Sequence, residues 1–337
     1  MRAYKKSLMR AAPKSANPQK IAVVIPAYKV ARQLEAVLTA IPDFVDAIYV
    51  VDDCCPEDSG AVAERLKPQD PRITLIRHAE NQGVGGAMLS GYQRALDDGC
   101  HIIAKIDGDG QMNPSLLKDF VLPILRGEAD YTKGNRFHTL DFLSIMPRRR
   151  LLGNLILSFM TKMSSGYWSV FDPTNGYTCI SSAALRLIPF DKMSRRYFFE
   201  SDMLFRLNIV RAVVADVPMD ALYADEQSSL RVRHNIIPFF KGHCRNFYKR
   251  IVYNYFLRNF SVASLQLLMG MTLLFFGLIF GLYHWADSSY TGIPATSGTV
   301  MIAALSILVG IQMLLGFVNY DVANQPDKPL SQMESGE

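Results

Sequence analysis

Ile102-Ile-Ala-Lys-Ile-Asp-Gly-Asp-Gly-Gln111 sets a short, mostly apolar run directly against two carboxylates and two glycines. The run has the length and composition of a buried β-strand, and the glycines allow a tight turn after it. Three earlier runs repeat the pattern: Ile21 to Ile25, ended by Pro26, then Ala47 to Val51, and Ile73 to Ile76. Between them Val30 to Ala40, Asp58 to Leu66 and Val84 to Asp97 carry helix-type spacing. Strand alternating with helix predicts an α/β domain whose mostly parallel sheet has helices on both faces. In such sheets ligands gather beyond the carboxyl ends of the strands. That singles out Tyr28, Asp52, Asp53, Asp107 and Asp109.

Asp107 and Asp109, one residue apart at a strand end, can present hard oxygen ligands to one divalent cation, Mg²⁺ or Mn²⁺. The same spacing also occurs in ordinary turns, and it is the preceding strand that favours a site. The Asp52-Asp53 pair has two readings. It can cap the helix that starts near Asp58, or it can hydrogen-bond a nucleotide base and ribose. Asn81-Gln-Gly-Val-Gly-Gly86 opens a helix where backbone N–H groups can approach a phosphate. It follows the third strand and lacks G-x-G-x-x-G spacing, which excludes a dinucleotide-binding dehydrogenase.

Of the 337 residues, 49% are hydrophobic and 20% charged, between the values of a soluble enzyme and a membrane protein. The apolar excess lies near the end. Val262 to Trp285 and Thr299 to Tyr320 contain no Asp, Glu, Lys or Arg. As helices each would be roughly 33–36 Å long, enough to cross a hydrocarbon core of about 30 Å. Ala286 to Gly298 would be the polar tip of this hairpin. Upstream lie Arg231, Arg233, Lys241, Arg245, Lys249, Arg250 and Arg258, which makes that flank cytoplasmic and returns the tail from Asp321 to the cytoplasm. Ile236 to Phe260 mixes these bases with aromatic residues, as a helix in the lipid headgroup layer would; an amphipathic helix packed on the domain reads the same way. Formal net charge is +5. Because the bases cluster beside a span and no groove-reading motif accompanies them, nucleic acid is not the expected partner. The five cysteines show no zinc-ligand spacing and read as reduced thiols. No sustained apolar segment opens the chain, so no cleaved signal peptide is expected. The expected organisation is a basic tail over 1–20, a catalytic domain over 21–230, a juxtamembrane region over 231–261, a hairpin over 262–320 and a polar, frayed tail over 321–337.

Ile25-Pro-Ala-Tyr28, Val51-Asp-Asp53, Asn81-x-Gly83 with Gly86-Ala87, Asp107-Gly-Asp109-Gly-Gln111 with Asn113-Pro114, and Gly134-Asn-Arg136 occur in a recognisable order. Together they resemble the family 2 glycosyltransferases of GT-A fold. Within that family they resemble the polyisoprenyl-phosphate glycosyltransferases related to dolichol-phosphate mannose synthase. Asp172-Pro-Thr-Asn-Gly176 is similar to that subgroup's D-P-T-S-G segment, and the hairpin is similar to its two-helix members. The resemblance implies that Pro26, Tyr28, Asp52 or Asp53, Gly83 and Asp107 bind the nucleotide sugar. It implies that Asp107, Asp109 and Gln111 surround the metal. Arg136 would contact phosphate, and Arg148, Arg149 or Arg150, beside Asn154 on an interfacial helix over Leu151 to Met163, would bind the lipid phosphate. Glu200 or Asp202 would be the acidic residue near the acceptor, although both could simply open a helix.

The implied reaction is inverting transfer of a sugar from a UDP- or GDP-sugar to a polyprenyl phosphate, undecaprenyl phosphate being preferred, at the cytoplasmic membrane face. Membrane lipids are the implied surroundings, and the spans leave homo-oligomer formation open. Three segments depart from the family pattern: Lys29-Val30, Cys54-Cys55 and Asp225-Glu-Gln-Ser-Ser229. A processive polysaccharide synthase shares the early motifs, but no Q-x-x-R-W segment is present. A catalytically inactive membrane adaptor is the remaining alternative, and the intact Asp107, Asp109 and Arg136 weigh against it.

Overall fold

The computed structural model describes residues 19–138, 148–173, 175–219 and 232–333, with the side chains at 138, 148–150, 232–236 and 333 outside that description. Seven strands form one sheet: β1 (Ile21–Ala27), β2 (Ala47–Asp52), β3 (Ile73–Arg77), β4 (Ile102–Lys105), β5 (Tyr131–Asn135), β6 (Thr178–Ser181) and β7 (Val214–Pro218). Their order is β3-β2-β1-β4-β6-β5-β7. Only β6 runs antiparallel to its neighbours, so the sheet is mixed rather than wholly parallel.

The first three βαβ crossings use α1 (Leu34–Thr39), α2 (Ser59–Leu66) and α3 (Gly83–Asp97). After them come α4 (Leu117–Leu125), α5 (Arg148–Ser165), α6 (Ser182–Arg186) and α7 (Phe199–Ile209). Period-2 alternation along β1 sends Val23, Ile25 and Ala27 into one core with α1, α2 and α4, and Ala22 and Val24 into another with α3, α6 and α7. Helices therefore cover both faces, as the sequence predicts. The pairing of β1 with β4 ends at Val24 and Lys105, and the Ile106 N–H still donates to the Val24 carbonyl (3.2 Å). Pro26 lies beyond the end of that ladder, where its missing N–H leaves no bond unmade. The chain order reverses between these two strands, so the opening past their carboxyl ends is where a ligand is expected.

The chain divides into two compact units, 1–246 with 326–337, and 247–325. In the first unit, α8 (Val232–Val252) starts by packing on the domain. Phe239 and His243 stack edge-on to Phe198, and Asn246 donates to the Asp202 carboxylate (2.9 Å). A Cβ at Gly242 would meet the Phe198 ring at 2.7 Å, so a glycine is what lets this helix approach so closely. Ile237 and Phe240 remain exposed on the other side. The tail is a correction to the expectation of a frayed end. The Leu330 N–H donates to both Asp130 oxygens (3.0 and 3.1 Å), Gln332 donates to the Gly127 carbonyl, and α11 (Leu330–Met333) lies beside α6.

In the second unit a π-helical turn, Tyr253–Arg258, precedes α9 (Val262–Thr291) and α10 (Ser297–Ala323). Both helices are long and apolar enough to span a membrane and run past the predicted spans, so most of the expected tip is helical. Gly270, Gly277 and Gly310 let the two backbones meet: a Cβ on Gly310 would stand 2.7 Å from the Leu274 nitrogen. Arg250, read from sequence as a surface base, is instead buried and paired with Asp321 (2.5 and 3.0 Å), which also accepts from the Tyr255 hydroxyl (2.5 Å).

Candidate active site

The turn after β4 is shaped by its glycines. Gly110 adopts φ +76°, open at little cost only to glycine. A Cβ on Gly108 would press on Val30 (3.0 Å), so its absence lets the acidic turn settle onto β1 and the segment after it. The Gln111 N–H donates to Asp109 Oδ1 (3.0 Å) and closes the turn. Asp107 and Asp109 are both partly exposed.

Beneath Asp107 lies a cation that sequence reading passed over. Lys105 is 1% exposed, and its Nζ stands 2.7 Å from Asp107 Oδ1 and 3.3 Å from Glu200 Oε1. Burial pulls the Lys105 ammonium down, but the two carboxylates outweigh it and hold its pKa raised. Strand register carries the polar row onward: Lys105 pairs with Thr178, Thr178 with Lys133, and Lys133 with Asp216. All four point to the face covered by α7, whose first turn supplies Glu200. Lys133 is fully buried and donates to the Asn175 carbonyl. Burial lowers its pKa to about 8 against the opposing pull of Asp172, Glu200 and Asp216. Burial also raises the Asp216 carboxyl, which accepts from the Asn135 amide (2.9 Å).

The segment Asp172–Gly176 ties these groups together. Asp172, wholly buried, takes Arg136 in a two-point pair, Nε to Oδ2 at 2.7 Å and Nη2 to Oδ1 at 2.9 Å. At the other end, a Cβ on Gly176 would stand 2.4 Å from Lys105 Nζ and 2.5 Å from Asp107 Oδ2. The missing methyl lets this segment lie directly against Lys105 and Asp107. Five residues thus join the acidic turn to Arg136.

Other candidates land elsewhere. Asp52 accepts from the N–H groups of Cys55 (2.8 Å) and Gly60 (2.9 Å), capping α2. Asp53 accepts from Gln82 and Gly83 (2.8 Å each) and from His78 Nδ1 (2.7 Å), capping α3. Both carboxylates are 3% exposed and placed as caps in this structure. Gly83 opens α3 with φ +82°. Its N–H is taken by Asp53, and a Cβ there would meet the Arg195 carbonyl at 2.7 Å, so packing against 194–196 accounts for the glycine. Asp202 lies deeper than Glu200. It is fully buried, and it accepts from the Ser194 N–H (2.9 Å), Arg206 (3.1 Å) and Asn246 (2.9 Å). Glu200 is the acidic residue that reaches the row. Pro26 and the 44%-exposed Tyr28 stand at the end of β1. Asn154 is half-buried on α5, while the side chains of Arg148, Arg149 and Arg150 lie outside the described residues, as does Asp225 to Ser229. An open cavity of about 510 Å³ along α3, lined by Ser90, Arg94 and Arg195, contains none of the residues at the acidic turn.

The two carboxylates of the turn are hard donors that suit Mg²⁺ or Mn²⁺, although no third His, Cys, Asp or Glu converges on them among the described residues. A cation there would need oxygens from a ligand, and the partial exposure of Asp107 and Asp109 leaves both open to such an approach.

Residues 22–188 match the family described as glycosyl transferase family 2. A UDP-N-acetylglucosamine–dolichyl-phosphate N-acetylglucosaminyltransferase of Methanococcus voltae is 27% identical over 218 residues, covering 61% of this chain and 86% of that protein. An undecaprenyl-phosphate mannosyltransferase of Micrococcus luteus is 26% identical, covering 59% and 82%. Among solved structures, glucosyl-3-phosphoglycerate synthase of Mycobacterium tuberculosis, in complex with Mn²⁺, UDP and phosphoglyceric acid, superposes with a TM-score of 0.52. It is 17% identical and covers 69% of this chain and 78% of its own, a likeness of fold.

Proposed function

The chain belongs to the family 2 glycosyltransferases, and from that premise we propose that it transfers a sugar from a nucleotide-diphosphate donor to a polyprenyl phosphate at a membrane surface. The observation that carries this reading is the Asp172–Gly176 bridge, which sets Arg136 and Asp107 at its two ends. One end suits a donor diphosphate and the other an anionic acceptor. Asp107 and Asp109, with Gln111 beside them, would hold Mg²⁺ or Mn²⁺, which supplies positive charge to the leaving diphosphate.

An acceptor phosphate oxygen attacks the anomeric carbon while the bond to the nucleoside diphosphate breaks, so configuration inverts. The phosphate is already anionic, so little general-base help is needed, and positioning and charge stabilisation supply most of the rate. Arg136, held flat by Asp172, presents a planar fork that phosphate can share or take over. Glu200 steadies Lys105 behind Asp107 rather than acting as a base.

Membrane attachment rests on two features, each within its own unit. Leu152, Leu155, Ile156 and Phe159 are all exposed on α5 at spacings of three and four residues, an apolar stripe facing outward. The two long apolar helices form a hairpin whose ends both lead by chain connection to the first unit. With Lys241, Arg245, Lys249 and Arg258 flanking it, this arrangement favours an inner-membrane enzyme with both termini cytoplasmic. UDP- or GDP-sugars are the donors, and undecaprenyl phosphate is the carrier that we favour.

The test uses the full chain in detergent with undecaprenyl phosphate, Mg²⁺ or Mn²⁺, and labelled UDP- and GDP-sugars. Label entering the organic phase from one donor, and lost in Asp109→Ala, is the expected result. Label passing only to water or to a soluble acceptor would refute lipid-phosphate transfer.

A further inference from the structure

We infer that Lys105 is a built-in counter-ion that keeps the free enzyme's affinity for its divalent cation low, so that tight cation binding awaits the donor diphosphate. The inference rests on the reading of Asp107 and Asp109 as cation ligands. At 1% exposure, Lys105 has no access to a substrate and acts only through its neighbours. On this face Ile103, two residues back, packs in the apolar core. The lysine instead sits 2.7 Å from Asp107 Oδ1, occupying the inner side of that carboxylate.

Charge counting gives the direction. Asp107, Asp109 and Glu200 contribute three negative charges, and Lys105 cancels one of them. An incoming cation therefore meets a weaker field than the bare carboxylates would provide, and one Asp107 oxygen is already engaged. A donor diphosphate restores negative charge from the solvent side. Glu200, 3.3 Å from the same ammonium, sets how much of the lysine's charge falls on Asp107. Lys105 is thus a positioning residue, and its signature is a cation affinity rather than a turnover number.

The experiment measures Mn²⁺ binding to the full chain in detergent, by the electron paramagnetic resonance of free Mn²⁺, without nucleotide and then with UDP. Thermal melting checks each variant's fold. Lys105→Met should bind Mn²⁺ roughly tenfold or more tightly than wild type without nucleotide. Lys105→Arg, which keeps the charge, should remain near wild type. Glu200→Gln should bind severalfold more weakly. An unchanged or weakened Lys105→Met in folded protein overturns the inference. Should that variant fail to fold, Glu200→Gln decides, and unchanged or tighter binding there overturns it. Mn²⁺ binding that Asp109→Ala abolishes, with Lys105→Met unmoved, removes only the role of Lys105. Binding that Asp109→Ala leaves untouched, with UDP present, removes the cation reading and this inference with it.

Discussion

Gly176 and Lys133 show how tightly single residues are constrained around Asp107. A methyl group at 176 would stand 2.4 Å from Lys105 Nζ and 2.5 Å from Asp107 Oδ2, so one of them must move. Gly176→Ala should cost about 1–3 kcal/mol of stability and lower transfer on the order of a hundredfold. Chemical denaturation beside initial rates separates the two effects. Lys133 titrates in the folded chain near pH 8, because burial penalises its charge, against about 10.4 when unfolded. Between those values the unfolded chain binds more protons, so wild-type stability rises with pH across that window. The melting-temperature difference between wild type and Lys133→Met should therefore move in favour of wild type from about pH 7.5 to about pH 10; a constant difference would count against a buried ammonium. In the sequence Gly176 stood out only as the end of the Asp172–Gly176 segment and Lys133 not at all, although another lysine, Lys105, was visible inside Ile102 to Ile106. Its partners, Glu200 and Gly176, lie far away in sequence and could not be assigned to it without the sheet register.

At the scale of elements, β1 to β4 were legible because they are short apolar runs, and β1, β2 and β4 are buried on both faces. β5, β6 and β7 were not, since Tyr131–Asn135, Thr178–Ser181 and Val214–Pro218 carry Lys133, Thr178 and Asp216 of the polar row. The residues that give the site its character interrupt the pattern by which a strand is recognised. The Asp52-Asp53 pair was open between capping and ligand binding for a similar reason. Caps follow from where the next helix begins, and sequence alone leaves that loosely set. Asp202 was open between two readings because an acid near a helix start looks the same whether it faces substrate or packing. Its burial assigns it to the joint between α7, the 194 loop and α8, so Asp202→Ala should cost about 3–5 kcal/mol while turnover per folded molecule stays near wild type. On α5 the exposed stripe makes the opposite prediction. Ile156→Asp with Phe159→Asp should raise the KM for lipid acceptor by about tenfold or more, leaving melting temperature and UDP binding unchanged. An unchanged lipid KM would remove the stripe from the membrane account.

For the whole molecule, hydropathy alone indicated a two-helix hairpin, because spans lacking charge over this length are a coarse signal that tertiary contacts seldom alter. The tail was beyond such reading. Its attachment depends on Asp130, some two hundred residues earlier, offering a buried carboxylate to the Leu330 N–H. With the tail docked, both chain connections of the hairpin lead into the catalytic unit, as an enzyme working on one membrane face requires. The central claim is that a sugar, and not a sugar phosphate, passes to the lipid phosphate. The most direct measurement is mass spectrometry of the lipid product together with identification of the released nucleotide. The account predicts a lipid heavier by one sugar residue with a single phosphorus, formed one-for-one with nucleoside diphosphate. A lipid carrying two phosphorus atoms, with nucleoside monophosphate released, would contradict it.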